Sequence, residues 1–261
     1  MNYRYVTIEK ENYITTVTLT NPPANTLSSF CIAELRTLFQ DLKNDVETRV
    51  IIITGAGRFF VAGADIKEFV SKVGDQEQAL SLAKEGQELC DEIEALKKPV
   101  IAAINGAALG GGLELAMSCH FRIISDQATV GLPELKLGLI PTFGGTQRLR
   151  KITDTATALD LILTGRTISA EEAVNLKIAQ LSVKQDELKN VAVTVANSFV
   201  EGKSMTSVSR AVECIIQGSN ETMEQGLKKE RKRFSELFLT SDAKEGIQAF
   251  VEKRKPNFKH S

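Results

Sequence analysis

The sequence predicts an α/β fold built on parallel strands, and two observations carry that reading. Strand candidates at Val50–Ile53, Val100–Ile104 and Phe121–Ile124 alternate with long stretches of helical periodicity. The first two are apolar at every position, as expected of strands covered on both faces by helices.

The elements follow in order. Tyr3–Glu9 and Ile14–Leu19 alternate around Glu11-Asn12 and predict a β-hairpin, which Asn21-Pro22-Pro23 ends. From Leu27, apolar residues recur at Cys31, Leu35, Leu38 and Leu42, the spacing of an amphipathic helix. Val50–Ile53 feeds a loop at Gly55-Ala56-Gly57. A second long helix carries Ala79, Leu82, Ala83, Leu89, Cys90, Ile93 and Leu96 on one face, and Pro99 stops it. Val100–Ile104 leads through glycines into a helix from about Gly111. The texture changes after Leu163. Ser169-Ala-Glu-Glu172 has the form of a capping box, and from Gln185 onward nearly everything reads as helix. The last two helices, Glu221–Leu239 and Asp242–Lys253, are highly charged yet carry Phe234, Leu237, Phe238 and Phe250. A change of texture near 197–204, with no linker, divides a core at 1–198 from a helical region at 199–261.

A chain of 261 residues suits one large domain, or one with a small appendage. It is 43% hydrophobic and 25% charged, with a net charge of −1 that gives no basic field for nucleic acid. The four cysteines form no CxxC, which argues against a zinc site or a redox dithiol. They stand among apolar residues and are expected to be buried thiols in a reduced, cytoplasmic setting. Met1–Lys10 lacks the apolar core of a signal peptide. Val100–Met117 contains Asn105, Glu114 and four glycines, too polar and too glycine-rich for a membrane span.

The chemistry is bounded by exclusion. There are two histidines. His260, near the terminus, is expected to fray, and His120 is expected to be a satisfied structural histidine. No G-x-S-x-G is present for a serine hydrolase, and histidine-based metal ligation fails for the same shortage. Gly55-Ala56-Gly57 follows a strand, but Phe60 stands where a dinucleotide fingerprint needs glycine. The work falls to carboxylates, backbone amides and lysines.

Two segments offer amides. Phe59-Phe-Val-Ala-Gly-Ala64-Asp65-Ile66-Lys67 ends at a helix start near Asp65, and Asn105-Gly-Ala-Ala-Leu-Gly110-Gly111-Gly112-Leu113-Glu114 leads three glycines into an apolar helix. Unpaired N–H groups at helix starts, beside residues with little side chain, can receive an anion. Two of them converging on one oxygen make an oxyanion hole. Close helix–strand packing would use glycine equally well. Glu114, in the first turn of an apolar helix, is either a dipole-compensating surface group or a part-buried acid facing a pocket. Glu134, after Gly131-Leu-Pro133, also stands among apolar residues. Two carboxylates in different low-polarity settings can divide acid and base roles; their separation in sequence does not say whether they meet.

An ordered series of motifs resembles the crotonase (enoyl-CoA hydratase/isomerase) family: Asn21-Pro-Pro-Ala-Asn25; Ala62-Gly-Ala-Asp-Ile-Lys67; Ala102 to Ala116; Leu132-Pro-Glu134; Leu137-Gly-Leu-Ile-Pro-Thr-Phe-Gly-Gly-Thr-Gln-Arg-Leu149; and Phe250 to Phe258. The resemblance runs from about residue 3 to 258. It implies a ClpP-like spiral of β-β-α turns with a C-terminal helical region that packs against neighbouring subunits, as a homotrimer or a dimer of trimers.

The resemblance also implies roles. Ala64 and Gly111 amides would hold the thioester carbonyl oxygen as it gains enolate character. Glu114 and Glu134 match the family's two catalytic glutamates, which position water, deprotonate it for attack at C3 and protonate C2. Ala24 and Ala64, Asp65, Ile66 and Lys67 match coenzyme A-binding positions, Lys253 a lysine near the CoA phosphates, and Phe234 an aromatic from a neighbouring subunit near the acyl site. The implied substrate is a 2-enoyl-CoA thioester of the fatty-acid β-oxidation type, with no metal and no cofactor beyond the substrate's own coenzyme A, and no membrane or nucleic acid partner. Both glutamates together favour hydratase over an isomerase, which needs one, and over a specialised lyase or hydroxyacyl-CoA hydrolase. An RNA-binding role, also conceivable in this family, lacks a basic excess. Two positions depart from the pattern. Thr142-Phe143 replaces a frequent Gly-Ala or Gly-Phe, where the Thr142 amide could still help hold water, and His120 replaces a frequent aspartate.

Overall fold

β1 (Val6–Glu11) and β2 (Ile14–Leu19) form the antiparallel hairpin. Its turn falls on Asn12 and Tyr13, both at positive φ (49° and 64°), one residue beyond the expected place. The structure, a computed structural model, describes residues 3–260. Met1 and Asn2 of the Met1–Lys10 stretch lie outside the described residues. α1 (Ser29–Asn44) is capped by the Ser28 hydroxyl, which accepts from Cys31 N at 3.2 Å. Leu27, expected in this helix, instead forms an isolated parallel bridge with Ala64.

Three further β-β-α turns follow. β3 (Val50–Gly55) and β4 (Phe59–Val61) lead to α2 (Ile66–Val70) and α3 (Gln76–Glu94). β5 (Val100–Ile104) and β6 (Ala107–Leu109) lead to α4 (Gly111–Ser118). β7 (Phe121–Ser125) and β8 (Thr129–Gly131) lead to a 3-10 turn, Glu134–Leu137, and then α5 (Gly145–Ile152) and α6 (Thr155–Thr164). The chain continues through β9 (Thr167–Ser169), α7 (Ala170–Asn175) and β10 (Leu181–Val183) to α8 (Leu188–Val200), α9 (Met205–Gly218), α10 (Met223–Leu237) and α11 (Ser241–Val251).

The hairpin, the first strands of the three further turns and β10 build one sheet, β1-β2-β3-β5-β7-β10, and the second strands of those turns with β9 build another, β4-β6-β8-β9. β2 through β10 of the larger sheet run parallel, as do β4, β6 and β8 of the smaller. Each of the three turns after the hairpin thus adds one strand to each sheet.

The apolar strands have a direct explanation. Ile51, Ile53, Ala102 and Ile104 face the main core with α1 and α3, while Val50, Ile52, Ile101 and Ala103 face Leu188, Ala192, Ala196 and Val200 of α8. Alternate side chains serve opposite faces, so a strand covered on both must be apolar throughout. β4, β6, β8, β9 and β10 have three residues each, too short for a period to show in the sequence.

Other expectations need correction. Ser169 caps α7 through Glu172 N, but the Glu172 carboxylate pairs with Arg166 at 2.7 Å, so the box is half made. The complete capping box is Thr222 with Gln225 at the start of α10. Cys31, Cys90 and Cys119 are buried and Cys214 is only half-buried, all four free thiols. His260 does not fray: its backbone N–H donates to Asp242 at 2.9 Å, and its Nδ1 accepts from Met205 N at 3.2 Å. His120 is the satisfied histidine expected, with Val100 N donating to Nδ1 and Nε2 against Glu94 O, both at 3.0 Å. Among the described residues no helix is long and apolar enough to cross a membrane.

Candidate active site

Ala64 owes its place to the bridge with Leu27. Leu27 N donates to Gly63 O and Asp65 N donates to Leu27 O. In a parallel bridge these flanking groups make the bonds, so the Ala64 N–H points the other way. It meets no protein acceptor among the described residues, and it lies 3.5 Å from where a β-carbon on Gly111 would be. Gly111 is the first residue of α4, where an N–H has no intrahelical partner. The two orphan amides therefore face one space.

The three glycines divide the work. Gly110 has φ +52°, and a β-carbon there would lie 2.8 Å from Glu134 Oε1. Gly111 presents its amide. Gly112 serves packing, since a β-carbon would lie 2.1 Å from Val61 O. The packing reading thus applies at Gly112, while Gly111 opens α4 at the cavity wall.

Glu114 is 2% exposed. Its Oε1 accepts from Gly145 N at 2.6 Å, which sets it at the N-terminus of α5. Gly145 is needed for that contact, because a β-carbon would come within 2.7 Å of the same oxygen. Burial pushes the Glu114 carboxyl up to about 8, and the nearby Glu134 carboxylate adds to this. The amides of Gly145 and Phe143 and the Arg148 guanidinium pull the other way. Glu134 opens the 3-10 turn, and burial raises its carboxyl too. Its Oε2 is buried with no hydrogen-bond partner among the described residues. A buried polar atom left unpaired costs free energy, of order 1–3 kcal/mol, and is a common mark of a functional group.

Ala64, Gly111, Glu114 and Glu134 all line one cavity of about 720 Å³. Ile66 and Thr142 line it too, and the rest of the wall is mainly apolar, with Phe69, Leu82, Ile140 and Phe143 among its residues. An apolar cleft with a few converging polar groups is the usual form of a small-molecule site. Two orphan amides can stabilise a developing oxyanion, and two carboxyls in the same cleft can hold and transfer protons.

Other expected residues do not line this cavity. The Ala24 carbonyl accepts from Ala62 N at 3.0 Å, one step behind it. Asp65 caps α2 by accepting from Lys67 N at 3.1 Å. Phe234 is 67% exposed on α10, against Phe238 with ring centroids 5.7 Å apart. Lys253 is exposed beyond α11, at φ 54°.

Three contributors were not singled out. Gly145 holds Glu114, Arg148 holds the turn before it, and Asn25 braces the Ala64 side by donating from Nδ2 to Ala56 O and Phe59 O, each at 2.9 Å. All lie within the quoted motifs, but only their three-dimensional partners reveal what they do. Among the described residues no three His, Cys, Asp or Glu side chains gather as a metal would require.

Comparison with known proteins shows the family of the chain. The family profile described as enoyl-CoA hydratase/isomerase matches residues 9–261. A Bacillus subtilis protein named probable enoyl-CoA hydratase is 48% identical over 97% of this chain and 98% of its own. The short-chain-enoyl-CoA hydratase of Clostridium acetobutylicum is 39% identical over 98% and 97%. The crystal structure of enoyl-CoA hydratase from Bacillus anthracis superposes with a TM-score of 0.93, at 36% identity, covering 99% of this chain and all of that one.

Proposed function

The chain belongs to the enoyl-CoA hydratase/isomerase family, and on that premise we propose that Glu114 and Glu134 add water across the 2,3 double bond of 2-enoyl-CoA thioesters. The product is a 3-hydroxyacyl-CoA and the enzyme is a hydro-lyase. The observation that carries this reading is the meeting of two carboxyls with two unpartnered amides in one apolar cavity.

The thioester carbonyl oxygen takes the Ala64 and Gly111 amides, which strengthen as it gains enolate charge. Each donor in such a hole is worth about 3–4 kcal/mol of barrier. The proton that starts the cycle sits on Glu114, whose carboxyl is raised to about 8 by burial, and Glu134 serves as the base. Water bridging the acids accepts that proton from Glu114 and passes one of its own to Glu134. Its oxygen then attacks C3, the π electrons move toward C2 and the carbonyl, a water proton goes to Glu114, and Glu134 protonates C2. Atoms balance, and the proton is back on Glu114. No cofactor is required beyond the coenzyme A of the substrate.

Crotonyl-CoA, followed by loss of the conjugated-enoyl absorbance, tests the activity. Hydration is the expected result, and double-bond migration in a 3-enoyl-CoA without hydration would favour isomerase. A panel from C4 to C16 would then give the acyl preference.

Finer features belong to the same proposal. Ala24, Asp65, Ile66 and Lys67 contact coenzyme A mainly through backbone groups, Thr142 helps enclose the water, and Lys253 meets the phosphates. Residues 199–261 form the oligomerising region of a homotrimer or dimer of trimers, with Phe234 reaching a neighbour's acyl site. The exposed Phe234, Phe238 and Phe250 on charged helices support that arrangement. Four free thiols support a reducing, cytoplasmic setting, and a net charge of −1 supports no nucleic acid partner.

A further inference from the structure

Arg148, on α5, is 8% exposed and does not line the cavity. Its guanidinium spans two elements. Toward α3, Nη2 donates to Asp91 Oδ1 at 2.6 Å and to Glu94 Oε2 at 2.7 Å, and Nε donates to the same Glu94 oxygen at 3.0 Å. Toward the turn before its own helix, Nη1 donates to Phe143 O at 2.9 Å. Gly144 leaves the path clear, since a β-carbon there would lie 2.2 Å from Nη1. The α3 anchor is itself fixed, because Glu94 O contacts His120 Nε2 at 3.0 Å and His120 is held from its other side by Val100 N.

The turn that Arg148 grips is the one from which Gly145 N reaches Glu114 Oε1. We infer that Arg148 is a positioning residue for hydration: it ties the Phe143–Gly145 turn to α3 and so fixes the Glu114 carboxyl where it must meet water. The ion pairs alone are weak evidence for a stabilising role, since Asp91 is exposed and Glu94 half-buried. Here the guanidinium's fork divides its donors between the α3 carboxylates and a backbone carbonyl two residues from the Glu114 donor. Lysine would supply the charge without that fork. The inference rests on the assignment of Glu114 to water.

The test compares wild type with Arg148→Met and Arg148→Lys in two reactions, hydration of crotonyl-CoA and exchange of the C2 protons of butyryl-CoA with deuterium. Exchange needs the Ala64 and Gly111 amides and Glu134, but not Glu114. In Arg148→Met the kcat for hydration should fall roughly 100-fold, the scale of a small misplacement of a reacting group. KM should change little, and exchange should stay near wild type. Arg148→Lys should fall between, and it carries the comparison if the Met variant does not fold. Equal losses in both reactions, or unchanged hydration, would overturn the inference. A crystal structure of Arg148→Lys gives an answer independent of rates: the Gly145–Glu114 bond should be broken or lengthened, and its retention would also overturn the inference. If wild type itself fails to hydrate crotonyl-CoA, the hydratase reading fails, and that variant structure still decides what Arg148 does.

Discussion

The ring of Phe143 is seated in a notch at Gly86, where a β-carbon would lie 2.1 Å from Cδ1. The other edge of the ring faces Gly111, 3.2 Å from its own β-carbon position. A glycine inside α3 costs helix stability of about 1 kcal/mol, and here it makes room for an aromatic that touches the oxyanion side of the cleft. Along α3 the cavity wall runs through Gln76, Ala79, Leu82 and Ala83 and reaches this ring one turn later.

Gly86→Ala should push the ring toward Gly111. Overpacking of this kind costs about 1–3 kcal/mol, only partly offset by better helix propensity. Thermal denaturation should show a lower Tm, together with slower hydration. A Tm at or above wild type would show that the ring moves aside freely.

Gly112→Ala should be worse, because the added methyl meets the backbone carbonyl of Val61 at 2.1 Å rather than a side chain. Gly226, inside α10, provides the contrast: nothing lies within 4 Å of its β-carbon position. Gly226→Ala should stabilise by about 0.4–1 kcal/mol. Denaturant midpoints should therefore rank Gly226→Ala, wild type, Gly86→Ala, Gly112→Ala, and a Gly112→Ala variant as stable as wild type would contradict the close packing of α4 on β4.

Stability should depend on pH through Glu114. Its carboxyl is raised to about 8 in the folded protein from an ordinary 4.5, so between those values the folded state binds a proton the unfolded state has lost. The contribution is full below pH 4.5 and is lost as pH rises through about 8, at no more than about 1.4 kcal/mol per pH unit. Glu114→Gln has no such proton. Its unfolding free energy relative to wild type should increase between pH 5 and pH 9. A constant difference would mean that Glu114 is ionised in the folded protein across that range.

Phe234→Asp should weaken assembly without unfolding the chain, since the side chain is largely exposed on α10. Light scattering should give a trimer or hexamer for wild type and smaller species for the variant. An active wild-type monomer would remove the proposed role of the C-terminal helices.

The sequence made long elements legible and short ones not. α1, α3, β3 and β5 announce themselves because burial imposes a period, or its absence, over enough residues. β4 and β6 do not, yet they carry the chain to Ala64 and Gly111. Glu114 and Glu134 stood out as acids among apolar neighbours, but their meeting depends on how successive turns of the spiral stack. Gly145 and Arg148 were visible only as letters of a motif. Closeness to the terminus suggests fraying for His260, whereas Asp242, 2% exposed, accepts from the backbone amides of Lys259 and His260 and from the Ser204 hydroxyl.

The most direct measurement sets hydration of crotonyl-CoA by Glu114→Gln beside its exchange of acyl-CoA C2 protons. Glutamine keeps the shape and a hydrogen-bonding group but cannot pass a proton to and from water. Hydration should fall by about 10²–10⁴-fold, the range of general acid–base groups, while C2 exchange persists and substrate affinity changes only severalfold. Glu134→Gln should suppress both reactions. Hydration by Glu114→Gln at near the wild-type rate would contradict the pairing of Glu114 with Glu134 at the water and leave a single-acid reaction as the better assignment.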